Sequence, residues 1–392
     1  MSFRAKRSGV ENGAAGEAAT STGRLKAERT GSERIKSLAV WIKNRDSSTS
    51  LGMTKKGKAY ARAGVDIDLG NRLKRQIQSL VKGTHGPRVL GKIGGFGGLF
   101  EARFPRLREP VLVASIDGVG TKLKIAFAMD KHDTIGADLV NHCVNDIAVL
   151  GARPLFFLDY IGCEKLEHRV FQQLLRGFAR ACRSAGCALL GGETAQMPGM
   201  YRKGEYDLAG CIVGVVDRAK IIDGQKIKPG DVILGLASNG LHTNGYSLAR
   251  EILFRKMRLK VTSRLAGSTT SVGEELLRVH KNYQPLLANL PDGIIKGLAH
   301  ITGGGLIDNL PRILPPNCDA VIEARSWHIP GIFQILQQNG NIDAREMYQV
   351  FNMGIGMVAV VAKKNAQRAM SILRAKQIGT IERGSGQVRL EF

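Results

Sequence analysis

Residues 111–122, VLVASIDGVGTK, constrain the chain more than any other stretch. Apolar and β-branched residues come first and read as a buried strand. Asp117 then arrives with Gly118 and Gly120, followed by Thr121 and Lys122. A carboxylate at a strand end can hold a divalent metal. The glycines let backbone approach a ligand, and a lysine can meet phosphate as a mobile cation. The Walker A spacing is absent, so this is not that nucleotide loop.

The same grammar recurs. Residues 155–160 read as a strand closing on Asp159, which with Asp117 suggests a shared carboxylate site. Residues 187–190 form a third short strand running into Gly191, Gly192 and Glu193, so Glu193 takes a comparable strand-end place. Residues 207–216, 231–237 and 350–362 supply further strands. Helical spacing marks residues 65–84, 133–150 and 166–186, and a helix is expected over 274–290 despite Pro285. On the 133–150 helix, Asp138, Asn141, His142, Asn145 and Asp146 fall three or four apart and share a polar face. Strands alternating with helices define an α/β (α+β) chain.

Three loops concentrate glycine or hydrogen-bonding groups. Gly94, Gly95, Phe96, Gly97 and Gly98 cannot form a stable helix or strand, and such a loop can fold over phosphates or serve as a linker. Residues 238–247 carry Asn239 and His242 at a strand exit, where an imidazole suits proton transfer. Residues 303–305, three glycines before a short helix, offer an anion or ribose cradle.

Composition excludes several classes. No apolar run is long enough to span a bilayer. The six cysteines form no CxxC pair and no signal peptide opens the chain, so free thiols and a cytoplasmic location are expected, with no membrane partner. Net charge is +23, yet the basic residues are scattered and the glycine loops carry acids, which argues against nucleic acid as partner. Residues 1–58, basic and rich in small residues, are expected to be a disordered extension, with an organellar transit peptide or a start at Met53 as the alternatives. The compact part divides into 59–226 and 227–392.

The ordered set of motifs resembles the phosphoribosylformylglycinamidine cyclo-ligase family from about residue 60 onward. The carriers are residues 94–98, 117–122, 143–146, 156–160, 191–194, 238–247, 300–305 and 351–357. Two departures stand out. Gln196 replaces a frequent Glu, and residues 279–284 read Val-His-Lys-Asn-Tyr-Gln where the family usually has Pro-Thr-Arg-Ile-Tyr-Val. The resemblance implies a two-domain, cyclo-ligase-like fold, with a mixed-sheet N-terminal ATP-binding domain that dimerises and a C-terminal α/β substrate domain. It implies ATP and Mg2+ as cofactors, formylglycinamidine ribonucleotide as substrate and a homodimer. On its motifs, Asp117, Asp146 and Glu193 would hold magnesium. The loop 94–98, Asp117, Gly118, Gly120, Thr121, Lys122, Asn145, Asp146, Gly192 and Glu193 would hold ATP. His242, Asp117, Lys122 and Asn239 would serve catalysis. A related ATP-dependent kinase or synthetase, or a noncatalytic nucleotide-binding homologue, are the alternatives.

Overall fold

A computed structural model describes Arg72 and residues 78–392 except Ala266. The extension at 1–58 and most of the 65–84 helix lie outside the described residues. By contacts the chain separates into Met1–Lys56 and Gly57–Phe392, and both sheets belong to the second unit.

The first sheet comprises β1 Pro110–Gly118, β2 Arg153–Cys163, β3 Ala188–Gln196 and β4 Tyr206–Asp217, in the order β1-β4-β2-β3. The β1–β4 and β4–β2 pairs are antiparallel, and β2–β3 is parallel. A parallel pair needs a long crossover, and the helix His168–Ala185 provides it. That helix and Ile135–Ala148 cover one face of the sheet. Glycine sets their approach: a Cβ on Gly136 would stand 2.3 Å from the Leu174 carbonyl oxygen. Every residue of Ile135–Ala148 except Asp146 is buried, so its polar face lies against protein rather than solvent.

The expected burial of β1 is corrected. It is an edge strand, and Leu112 and Ile116 are 62% and 72% exposed on the face away from the helices. β-Branched composition identified a strand but could not say what would cover it.

The second sheet comprises β5 Val232–Ala237, β6 Ile295–His300, β7 Cys318–Glu323, β8 Ile355–Val361, β9 Lys376–Arg383 and β10 Val388–Glu391, in the order β10-β7-β9-β5-β8-β6. Only β10–β7 is parallel among these pairs. Both faces are covered. Ile233 joins the main core, while Val232, Leu234 and Leu236 pack with Ala366, Ala369 and Leu373 of the helix Ala366–Leu373. This explains the unbroken apolar run of β8, whose residues are all buried.

The helix expected over 274–290 is replaced by two short ones, Val272–Leu276 and Gln284–Leu287. Between them, backbone groups of residues 280–283 bond to the polar face of Ile135–Ala148. Asp138 Oδ1 accepts from the His280 amide at 2.7 Å, and Asn141 Nδ2 donates to the His280 carbonyl at 2.7 Å. Asn145 donates to the Lys281 carbonyl at 2.8 Å and accepts from the Tyr283 amide at 3.0 Å. Side chains thus satisfy backbone groups that a helix would have satisfied internally. Among the described residues, no helix is long and apolar enough to cross a membrane. All six cysteines are free.

Candidate active site

The helix Ile135–Ala148 uses one face for two tasks. Asp138, Asn141 and Asn145 hold the 280–283 segment, while His142 and Asp146, four apart, look toward the end of β1. There His142 Nε2 lies 2.8 Å from Asp117 Oδ2 and 3.8 Å from Asp146 Oδ2. Ser115 Oγ donates to Asp146 Oδ2 at 3.0 Å. From the second sheet, the end of β6 brings His300, whose Nδ1 is 2.8 Å from Asp146 Oδ1. Asp117, His142, Asp146 and His300 line a cavity of about 390 Å3 together with Thr302 and Arg312. A larger cavity of about 490 Å3, around Lys220 and Asp292, adjoins it through Ile222, Asp223 and Leu298 and holds none of these four groups.

Behind the cavity the imidazoles are stacked in depth. His280 Nε2 is 3.0 Å from His300 Nε2, and the His242 ring stacks on His280 with centroids 4.1 Å apart. Burial holds both His242 and His280 well below the ordinary histidine range, with neighbouring imidazoles and Lys122 adding to the effect, so both are neutral. Burial also lowers His300, against the opposing pull of Asp146. For His142, burial is outweighed by Asp117, Asp146 and Asp138, which raise it. Burial would raise Asp117 and Asp146, but their histidine partners and hydrogen bonds bring both below the usual carboxylate range.

Several expected site residues are placed differently. Lys122 does not reach phosphate here. It is fully buried, and its ammonium donates to Asp138 Oδ1 at 2.8 Å, to the His242 carbonyl at 3.1 Å and to the Arg278 carbonyl at 2.7 Å. Three donors and three acceptors leave none for a ligand. Burial pulls Lys122 down and Asp138 up. Asn145 is likewise spent inside the protein. His242 is only 2% exposed and has φ 64°. It backs His280 rather than lining the cavity. Asn239 is exposed and donates to the Val279 carbonyl at 2.7 Å.

The carboxylates also divide. Asp117 pairs across β4 Gly210 with Asp159, which pairs with Gly192 of β3. Three strand spacings separate the ends of that row, about 14 Å. Glu193 follows Gly192, so its side chain points to the opposite face, beside Tyr160. The expected Asp117–Asp146–Glu193 set is therefore not assembled: the first two meet and Glu193 stands apart. Asp159 is two strands from Asp117, so the two do not share one centre. Gly192 is required by proximity, since a Cβ there would lie 2.2 Å from the Asp159 carbonyl oxygen. Gly118 N donates to Asp117 Oδ1 at 2.6 Å, Gly120 takes φ 66°, and Thr121 Oγ1 is 3.1 Å from Ser247 Oγ. The loop Gly94, Gly95, Phe96, Gly97, Gly98 projects with Phe96 fully exposed, and Gly98 rests against Leu190.

Sequence reasoning did not select His142, His280 or His300 as site residues. The signal for His142 was its i,i+4 spacing to Asp146. His300 heads the 300–305 motif without being singled out from it, and His280 carried no signal of its own, because their partners are distant in the chain.

Taken together, the two sheets and this cavity define a protein of the AIR synthase related class. The N-terminal domain family of that name matches residues 104–216, and the C-terminal domain family matches residues 228–391. The chain is 55% identical over 316 residues to phosphoribosylformylglycinamidine cyclo-ligase of Syntrophotalea carbinolica, covering 80% of this chain and 90% of that one. It is 50% identical over 344 residues to the enzyme of the same name from Desulfatibacillum aliphaticivorans, covering 86% and 99%. The chain belongs to the phosphoribosylformylglycinamidine cyclo-ligase family. The fold is shared more widely. A crystal structure of thiamine-monophosphate kinase from Stenotrophomonas maltophilia matches with TM-score 0.61 at 19% identity, covering 83% of this chain and 96% of that one. Hydrogenase maturation protein HypE in complex with ATP matches with TM-score 0.58 at 18% identity, covering 86% and 92%.

Proposed function

We propose that this chain is an ATP-dependent cyclo-ligase that closes formylglycinamidine ribonucleotide to aminoimidazole ribonucleotide, releasing ADP and phosphate. The observation that carries this reading is the cavity bearing Asp117, His142, Asp146 and His300 at the junction of the two sheets, in a chain 55% identical to a cyclo-ligase of that name.

The chemistry has two parts. The formyl amide oxygen is a poor leaving group, and transfer of the ATP γ-phosphoryl group to it gives an iminophosphate. The amidine nitrogen then attacks the formyl carbon, the ring closes and phosphate departs. The attacking nitrogen gives up a proton, which the departing phosphate takes, while His300, held at Nδ1 by Asp146 and at Nε2 by His280, fixes the wall of the cavity. Arg312 on the same wall offers charge for a phosphate. Asp117 and Asp146 are oxygen donors of the kind magnesium takes, and they would hold it. Magnesium would there offset charge on the ATP phosphates. We assign Gly118, Gly120 and Thr121 to phosphate contact and the loop at Gly94–Gly98 to a lid over ATP. His242 serves as a positioning residue behind His280.

The division into 59–226 for ATP and 227–392 for substrate belongs to the same reading. So does a homodimer through the open face of the first sheet, where Leu112 and Ile116 stand exposed. Six free thiols are in keeping with a cytoplasmic location.

The test is product identity. The purified chain should consume ATP only with formylglycinamidine ribonucleotide, yielding a product with the mass of aminoimidazole ribonucleotide. ATP binding without product would favour a noncatalytic homologue. Phosphorylation of thiamine monophosphate instead would favour the related kinase.

A further inference from the structure

We propose that Arg88, Arg153 and Arg183 form a site for a small polyphosphate anion, apart from the active-site cavity. The ligand class is that of pyrophosphate and of the phosphate chain of a nucleotide. The inference is independent of the cyclo-ligase reading.

The three arginines line a cavity of about 380 Å3, and no acidic residue lines it with them. It shares no lining residue with the cavity at Asp117. Arg153 opens β2 and stands level with Leu112 of β1, because both pair with Val215 of β4. Asp117 lies further along β1, roughly 17 Å away by the rise of a strand. The arginines therefore gather at the other end of the sheet from the carboxylates.

Each guanidinium is positioned without a counter-charge. Arg88 Nη2 donates to the Glu101 carbonyl at 2.6 Å and to the Arg103 carbonyl at 3.1 Å. The same guanidinium lies 4.9 Å from the Phe100 ring centroid and 4.5 Å from that of Phe104. Its Nε is buried and finds no acceptor, a donor that costs free energy while unpartnered. Arg153 shares the Phe104 ring, 6.0 Å from its centroid. Arg183 comes from the last turn of the helix His168–Ala185, and a Cβ on Gly83 would stand 3.6 Å from its Nη1. Burial, with the charges of Arg88 and Arg106, brings Arg153 below the ordinary arginine range. A multivalent anion would relieve that repulsion. Other arginines meet carboxylates, as in Arg169–Asp130, Arg278–Glu275 and Arg389–Glu382. Among the described residues Arg88, Arg153 and Arg183 meet none. Planar guanidinium forks match phosphate oxygens in pairs, and three positive charges call for more than one phosphate.

The experiment is calorimetry on the full chain, in a chelator and at low ionic strength, with pyrophosphate as probe. One pyrophosphate should bind per chain, and orthophosphate should bind at least about tenfold more weakly for want of the second charged group. Arg153→Ala and Arg183→Ala should each weaken pyrophosphate by about 10- to 100-fold, the worth of one charge-assisted contact. Both residues are exposed, so the variants should fold, with circular dichroism as the control. Arg312→Ala, in the active-site cavity, should leave this binding unchanged. Metal-free ADP bound through the same two arginines would uphold the site and identify a nucleotide as the source of the phosphates. Exclusion of ADP while pyrophosphate binds would uphold it for the free anion. No saturable binding, equal affinity for orthophosphate, or unchanged binding in the Arg153→Ala/Arg183→Ala double variant would overturn it. So would a double variant whose only change is a lower thermal midpoint, since an arginine near a helix C-terminus would then serve the fold alone. A single-stranded oligonucleotide held by the same arginines more tightly than pyrophosphate would also overturn the small-anion site.

Discussion

Lys122 and Asp138 form an ion pair with Nζ and Oδ1 2.8 Å apart and both side chains wholly inaccessible to solvent. Lys122 follows the Asp117 loop, and Asp138 lies on the helix beside it. The lysine also caps carbonyls at His242 and Arg278, so one ammonium ties the first sheet's exit to two segments of the C-terminal half. Removing one partner strands the other charge in a low-dielectric interior. Lys122→Met should therefore destabilise the fold by about 3–5 kcal/mol, read as a lower urea midpoint. A variant with normal stability but weakened ATP affinity would instead restore a phosphate role for Lys122.

His242 can be separated from its surroundings with little backbone cost. Its φ of 64° lies in the left-handed region, which asparagine tolerates better than most residues. Neither ring nitrogen has a hydrogen-bond partner, so His242→Asn breaks no side-chain hydrogen bond. It removes the ring that stacks on His280 and, through it, supports His300. Misplacement of about 1 Å can cost about 100-fold in rate. Single-turnover ring closure should fall by that order at saturating ligands, with ATP affinity little changed and circular dichroism retained. Rapid-quench product measurement decides; an unchanged rate removes His242 from the site's support.

Asp117 should act on metal and nucleotide more than on folding. It is partly open, at the cavity, and its carboxylate meets His142 at 2.8 Å. Asp117→Asn keeps shape but removes the charge. Calorimetry should show weakened magnesium-dependent ATP binding with a thermal midpoint close to the parent's. Equal magnesium dependence in the two proteins would reduce Asp117 to a loop-capping residue.

Asp159 gives the chain a pH signature away from the cavity. Burial, reinforced by the Glu193 charge and opposed by its own amide, pushes Asp159 up to about 7. An unfolded aspartate titrates near about 3.9. Between these values the native state holds a proton that the unfolded state has lost, so stability falls as pH rises from about 4 to 7. Asp159→Asn abolishes that loss. Its thermal midpoint should exceed the parent's by a few degrees at pH 8, and the advantage should vanish at pH 4. An equal difference at both values would show that the shift is not there.

The alternation of strands and helices was legible in the residues because it depends on short-range periodicity. Apolar spacing marked the 166–186 helix, and β-branched runs marked β5 and β8. Glycines announced the turns at 118–120 and 303–305 in the same local way. The polar face of Ile135–Ala148 could also be read, since residues three and four apart must share a side.

What that face binds could not be read. Asn145 reaches Lys281, 136 positions on, and His300 reaches Asp146 across 154. No local pattern encodes such pairs; they exist only once the two sheets pack together. The same packing turned Lys122 inward, broke the expected 274–290 helix and set Glu193 on the far face of its sheet. Local chemistry determined which elements form and which groups could ligate or titrate. Tertiary packing decided which of those groups meet, because burial and long-range hydrogen bonding, not residue type, select their partners.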